Sequence, residues 1–195
     1  MNRYEYKNLV IEILNDPLFT SGSTDNVFQY SKCYYGGGAP EYQTSKHGIK
    51  IYSEGVLIND CIVIGSGGGT GIYDNSTIVN CDEVLVCCCN TVFCLSLSNL
   101  ELKWQTMADE ATCFTIHQLE NDYIVYGELT ISRLDREGNI IWSFGGADIF
   151  VSIDNEDPFK LESDHIALTD FNRNKYKIDF DGKLISYCTF QFDRG

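Results

Sequence analysis

Three groups of residues in the chain are of types and spacings that could do chemistry. The first is Gly65-Ser66-Gly67-Gly68-Gly69-Thr70-Gly71, which follows an apolar run. Backbone N–H groups of such a loop can cradle a phosphate, so Gly67, Gly68 and Gly69 are candidate ligand contacts. A dinucleotide fingerprint requires a helix next. Here Ile72-Tyr73-Asp74-Asn75-Ser76 reads as strand or turn, and no Gly-Lys-Ser/Thr is present. The competing reading is structural: these glycines serve positive φ or the close approach of two backbones.

The second group is the cysteines, nine in all, with Cys87-Cys88-Cys89 consecutive and Cys81, Cys94 and Cys113 nearby. Zinc sites use paired knuckles whose ligands converge on one centre. Consecutive residues of a strand point to opposite faces, so these thiols read as small core hydrophobes, and no metal site is assigned. His47, His117 and His165 sit in no recognisable motif; His117 reads as an outward or satisfied strand residue. No nucleophile–base set can be assembled by spacing, and no catalytic residue is assigned.

The third group is acidic. Asp154, Asn155, Glu156 and Asp157, before Pro158, form a loop suited to docking a basic partner. Asp135-Arg136-Glu137-Gly138 and Asp179-Phe180-Asp181-Gly182 resemble pieces of a calcium loop but lack its distant bidentate Glu. They read as tight turns between strands.

The formal charge of −14, from 28 acidic and 14 basic residues, sets the partners. There is no basic run, so nucleic acid and anionic membrane surfaces are disfavoured, whereas a basic protein is attracted. The opening MNRYEYKNLVIEILNDP contains no apolar signal core, and with nine unpaired thiols this leads to the expectation of a reducing cytosol.

Apolar runs position these groups. Tyr6–Leu14 fits a strand or one short helix. Val27–Tyr35 reads as a strand. From residue 48 onward short apolar runs recur about every ten residues, among them 84–89, 92–97, 113–119, 123–126, 129–134, 149–153 and 175–180. A longer period is superposed on these. Asp82-Glu83-Val84, Asn121-Asp122-Tyr123 and Asp164-His165-Ile166 open three units. Leu97 to Trp104, Leu134 to Trp142 and Ile178 to Ser186 carry their later turns. A four-stranded propeller blade occupies about 40–45 residues. A fourth, weaker copy is expected between His47 and Ser76.

The run Leu134-Asp135-Arg136-Glu137-Gly138-Asn139-Ile140-Ile141-Trp142 resembles the blade motif of quinoprotein-type (PQQ-like) β-propellers, where an Asp-x-x-Thr-Gly turn precedes a strand ending in Trp. The match covers about 110 residues. The loop is one residue short, the Thr before Gly138 is absent, and Ser186 replaces Trp in the last copy. The resemblance implies blade-like meanders and no quinone cofactor.

The expected fold is therefore all-β, a propeller-like antiparallel meander of about four blade-like repeats, with a two-sheet sandwich as alternative. One domain is expected over 1–195, with 1–46 as an N-terminal segment and first strands and 47–195 as the repeats. The expected function is a non-enzymatic interaction module for a basic partner, for example an antitoxin or immunity-type protein. A small-ligand or carbohydrate binder using Tyr34, Tyr35, Tyr42 and Tyr52 is the alternative, and an enzyme without a recognisable motif is the third reading.

Overall fold

The computed structural model describes residues 1–152 and 156–189, and these form a nearly all-β array of four antiparallel sheets. The first sheet holds β1 (Asn2–Tyr6), β2 (Leu9–Asn15), β3 (Cys33–Tyr35), β4 (Ser45–Ser53) and β5 (Val56–Gly65), in the order β1-β2-β4-β5-β3. The second is a simple meander of β6 (Thr77–Asn80), β7 (Glu83–Cys88), β8 (Thr91–Ser96) and β9 (Leu102–Met107). The third repeats it with β10 (Cys113–Leu119), β11 (Asp122–Gly127), β12 (Thr130–Leu134) and β13 (Ile140–Gly145). The fourth does so with β14 (Phe159–Leu161), β15 (Ile166–Thr169), β16 (Lys175–Ile178) and β17 (Leu184–Cys188). Four blade-like units thus replace the two-sheet alternative.

Each middle sheet is buried on both faces, which explains its unbroken apolar strands. Val84, Val86 and Cys88 of β7 pack on Ile11, Ile13, Ile49, Ile51 and Val63 of the first sheet. The intervening Leu85 and Cys87 pack on Cys113, Ile116, Tyr123 and Val125 of the third. In turn Ile124, Tyr126 and Ile131 of the third sheet meet Phe159, Ile166, Leu168 and Tyr176 of the fourth. The consecutive cysteines therefore serve different cores, as the period-2 alternation of a strand dictates. Among the described residues, no hydrophobic cluster joins the fourth sheet to the first. The far face of the first sheet is covered instead by its own long β2–β4 connection, with Phe19 and Ala39 buried on Ile62 and Ile64.

A repeated junction sets how successive sheets meet. At the third-to-fourth junction the Trp142 indole Nε1 donates to Phe180 O at 2.9 Å, with its ring on Gly182. One sheet earlier, Trp104 Nε1 donates to Arg136 O at 2.8 Å, over Gly138. Both glycines have positive φ, +82° for Gly138 and +77° for Gly182, and a Cβ on either would press into the indole. Asp135 and Asp179 hold the turns, each Oδ1 accepting from two backbone N–H groups at 2.8–3.0 Å. At the first junction Tyr34 stands in for Trp, its hydroxyl donating to Leu100 O at 2.9 Å, and Leu100 takes the left-handed backbone (φ 54°). This is the physical content of the Asp-x-x-Gly…Trp repeat: the outer strand of one unit docks on the last turn of the next.

Several expectations need correction. No N-terminal helix forms; Asn2–Tyr6 and Leu9–Asn15 pair as a hairpin whose turn is allowed by Lys7 in the left-handed region (φ 55°). Only Cys33–Tyr35 of the expected Val27–Tyr35 strand is β, pairing parallel with β5, because Tyr30 turns away to the Asp16 carboxylate and caps the sheet. The first unit takes strands from residue 2 onward, so the expected division at 46/47 falls inside β4. Residues 149–152 are irregular, and Phe159–Leu161 supplies the fourth sheet's first strand. The amide of Phe150 is committed to Glu128 O of the third sheet at 2.7 Å and cannot join a ladder. Residue 153 lies outside the described residues.

Candidate functional site

The first strands of the third and fourth sheets, together with the short 3-10 turn Asp74–Ser76, enclose a cleft of about 390 Å³. Thr115 and His117 project into it from β10, two residues apart and so on one strand face. A 2.8 Å hydrogen bond joins Thr115 Oγ1 to His117 Nε2. The imidazole stacks on Phe159 (centroids 5.0 Å apart, planes at 30°), and Phe159 stacks on Tyr126 (5.0 Å, 11°). Tyr126 is anchored by donating its hydroxyl to Phe150 O at 2.5 Å. Burial lowers the His117 pKa, against a smaller opposing pull from Asp157, so the ring is neutral at pH 7. Asp157, Glu162, Lys160 and Asn75 complete the rim. Asp157 is positioned by accepting from the Phe159 N–H at 3.1 Å.

The cleft contains one of the four acidic-loop residues singled out in the sequence. Asp154 and Asn155 lie outside the described residues. Glu156 and Asp157 are exposed, and both border a second groove of about 200 Å³ on the free face of the fourth sheet.

The glycine loop lies elsewhere, as a strap from the first sheet to the second. Gly68 N donates to Ala111 O at 2.9 Å. A Cβ on Gly67 (φ +105°) would sit 2.5 Å from Ala111 O, and one on Gly68 would strike the Thr112 hydroxyl. Gly69 has only Thr44 Cγ2 nearby, at 3.7 Å. Close approach of the Ala111 backbone bears on Gly67, and the Thr112 side chain on Gly68. The loop's Thr70 closes a buried polar cluster: its Oγ1 accepts from Cys89 N at 2.9 Å and lies 3.2 Å from His47 Nε2. His47 is fully buried, its Nδ1 has no partner among the described residues, and burial lowers its pKa to about 4. Hydrogen bonds from Cys88, Ser45 and Thr70 lower the pKa of the buried Cys89 thiol to about 6.

Asp109 is another buried polar group, wedged between the second and third sheets. Its Oδ1 accepts from the amides of Ala111 (2.6 Å) and Thr112 (2.9 Å), and its Oδ2 from those of Leu129 (2.9 Å) and Thr130 (2.8 Å). That saturation makes it a structural tie, with no lone pair left for a substrate. The four tyrosines singled out for sugar stacking do not converge. Tyr34 is in a sheet junction, Tyr35 packs in the cap of the first sheet, and Tyr42 is 74% exposed. Among the described residues no group of three His, Cys, Asp or Glu side chains converges as a metal site would.

Sequence reasoning missed the cleft because its parts come from three units. The Thr115–His117 pairing on one face was available from strand periodicity. Phe159 was not, because the three-residue β14 has no periodic signal.

No protein-family model matches the chain, and no curated protein matches it. Among solved structures, the chain is similar to BamB from Moraxella catarrhalis, at 8% identity and a TM-score of 0.44, covering 76% of this chain and 62% of that one. It is similar to the Pan2 WD40 domain of Neurospora crassa at 14% identity and a TM-score of 0.46, covering 60% and 38%. A computationally designed protein, Ika8, is similar at 10% identity and a TM-score of 0.46, covering 95% and 60%. The chain spans less than two thirds of the length of each of these structures.

Proposed function

We propose that the chain is a non-enzymatic protein-interaction module that engages a basic protein partner, whose cationic side chains enter the cleft between the third and fourth sheets. One observation carries this reading: two exposed carboxylates, Asp157 and Glu162, flank the stacked rings of Tyr126, Phe159 and His117 in a single cleft. A guanidinium is planar, stacks on ring faces and pairs with carboxylates. Neutral His117 adds no opposing charge, and Lys160 has a flexible stem that swings to solvent. The −14 net charge raises the encounter rate with a cationic surface. An antitoxin or immunity-type protein acting in the cytosol on a nuclease-type toxin is the concrete form of such a module. The Trp-on-turn junctions support a quinoprotein-like blade used here without a cofactor.

The test is affinity capture from the native host at low and at high salt, with wild type beside Asp157→Lys/Glu162→Lys. A stoichiometric basic partner lost at high salt and lost by the variant is expected. Its absence at low salt, or its undiminished capture by the variant, refutes the reading.

The Thr115–His117 hydrogen bond favours a second, enzymatic reading, in which a neutral imidazole takes the threonine proton. Turnover in a hydrolase substrate screen that is abolished by His117→Ala would support it.

A further inference from the structure

The fourth sheet is the last among the described residues, and its outward face differs chemically from the corresponding face of the third. Strand register aligns it residue by residue with the third sheet's outward face. Ile124 pairs with Arg133 as Ala167 pairs with Lys177, and Tyr126 pairs with Ile131 as Thr169 pairs with Lys175. Arg133 pairs with Trp142 as Lys177 pairs with Ser186, and Ile131 with Phe144 as Lys175 with Cys188. So where the third sheet presents Ile124, Tyr126, Ile131, Trp142 and Phe144 to its neighbour, the fourth presents Ala167, Thr169, Lys175, Ser186 and Cys188. The docking Trp and the Phe beside it are replaced by Ser186 and Cys188.

Three lysines lie on this face: Lys175 stands where the third sheet has Ile131, Lys177 where it has Arg133, and Lys160 where it has His117. Lys160 lies across from Ala167, which lies across from Lys177, and Lys175 is two residues from Lys177 on β16. All three lysines are exposed, and none makes an ion pair with a described residue. The strand positions of this face carry no carboxylate. Glu156 and Asp157 border the groove that Lys160, Lys175 and Lys177 line. In a chain with 28 acidic and 14 basic residues, a lysine-only sheet face is a local reversal of sign.

We infer that this face is a docking surface for an acidic, extended segment of a partner protein, next to the cleft, with which its groove shares Asp157 and Lys160, and for an occupant other than the cleft's basic partner. Charge complementarity fixes the occupant's sign. Spacing fixes its form: Lys175 and Lys177 are about 7 Å apart along the strand, and Lys160 and Lys177 about 10 Å apart across it. Carboxylates on alternate residues of an extended peptide repeat at about that 7 Å interval. The segment enters from the β17 side, away from Glu156 and Asp157. At physiological ionic strength the Debye length is about 8 Å, so the sign of the groove is set locally, by three lysines against Glu156 and Asp157.

The experiment is fluorescence anisotropy at 150 mM salt, using the whole chain and a labelled Glu-Ser repeat peptide. The expected result is saturable binding that weakens at least about tenfold in Lys160→Glu/Lys175→Glu/Lys177→Glu, and by a smaller factor in the corresponding triple Gln variant. Thermal melts establish that both variants are folded. Lys183→Glu, on the neighbouring turn, is expected to bind within about twofold of wild type. Glu162→Lys, at a residue that lines the cleft and not this groove, is expected to keep peptide binding, so the two readings fail separately. Equal binding by wild type and the triple Glu variant overturns the inference. So does tighter binding of a Lys-Ser peptide to this face, or a preference for anionic vesicles or RNA over the acidic peptide.

Discussion

Trp142 is the sharpest point at which to perturb the array. Its half-buried indole lies on Gly182, and its Nε1 donates to Phe180 O, which also accepts from Arg133 at 2.7 Å. Trp142→Ala therefore removes packing and one hydrogen bond but leaves that carbonyl satisfied. Core Trp→Ala substitutions cost about 3–5 kcal/mol, and partial exposure reduces this to about 2–3 kcal/mol. For a chain of this length that corresponds to a fall in Tm of roughly 5–10 °C. Gly182→Ala should cost a similar amount from two sources. One is the φ of +77°, and the other is a Cβ placed 2.6 Å from the indole Cδ2. The indole is the second source, so in the Trp142→Ala background only the backbone strain of about 1–2 kcal/mol remains. Urea denaturation of the four proteins of the cycle is then expected to give a favourable coupling of about 1–2 kcal/mol. Strict additivity, or a Trp142→Ala cost below about 0.5 kcal/mol, would refute the idea that the units are joined by Trp on turn.

Two further predictions concern the first half of the chain. Gly67→Ala should lose about 2–4 kcal/mol, since it meets both a positive φ and the Ala111 carbonyl, whereas Gly69→Ala should be neutral or slightly stabilising; paired thermal melts decide it. His47 is held neutral in the fold with a pKa of about 4, against about 6.5 unfolded, so the unfolded chain binds the extra proton between these values. Its contribution to stability is intact above pH 6.5 and is lost as pH falls towards 4. Wild type should therefore lose about 3 kcal/mol more than His47→Gln between pH 7 and 4, and parallel stability–pH curves would contradict this.

Much of the architecture was legible because it rests on short-range pattern. Cys113–Leu119 is a strand with the expected bounds, and β7 and β8 match within a residue, since both have continuous apolar runs. The Asp-Gly turns and Trp positions were legible as a repeat, although the contact between units was not: Trp142 and Gly182 are forty residues apart. The first unit was the least legible. Its β3 is out of chain order in the sheet, and the second-sheet turn on which its Tyr34 docks has Leu100 in the left-handed region in place of glycine. The cleft escaped for a related reason. His117 gains its meaning only from Phe159 and Asp157, which belong to another unit. The glycine loop had the opposite fault, a conspicuous local signal whose cause is a packing contact with Ala111 and Thr112.

The proposal that the cleft receives a cationic side chain is tested most directly by NMR. The backbone amides of the ¹⁵N-labelled chain would be followed while N-acetyl-arginine amide is titrated in. The expected result is saturable shifts confined to Thr115, His117, Phe159, Leu161 and Glu162, absent in Asp157→Asn/Glu162→Gln. Shifts spread over the acidic surface with none in the cleft, or unchanged in the variant, would contradict it.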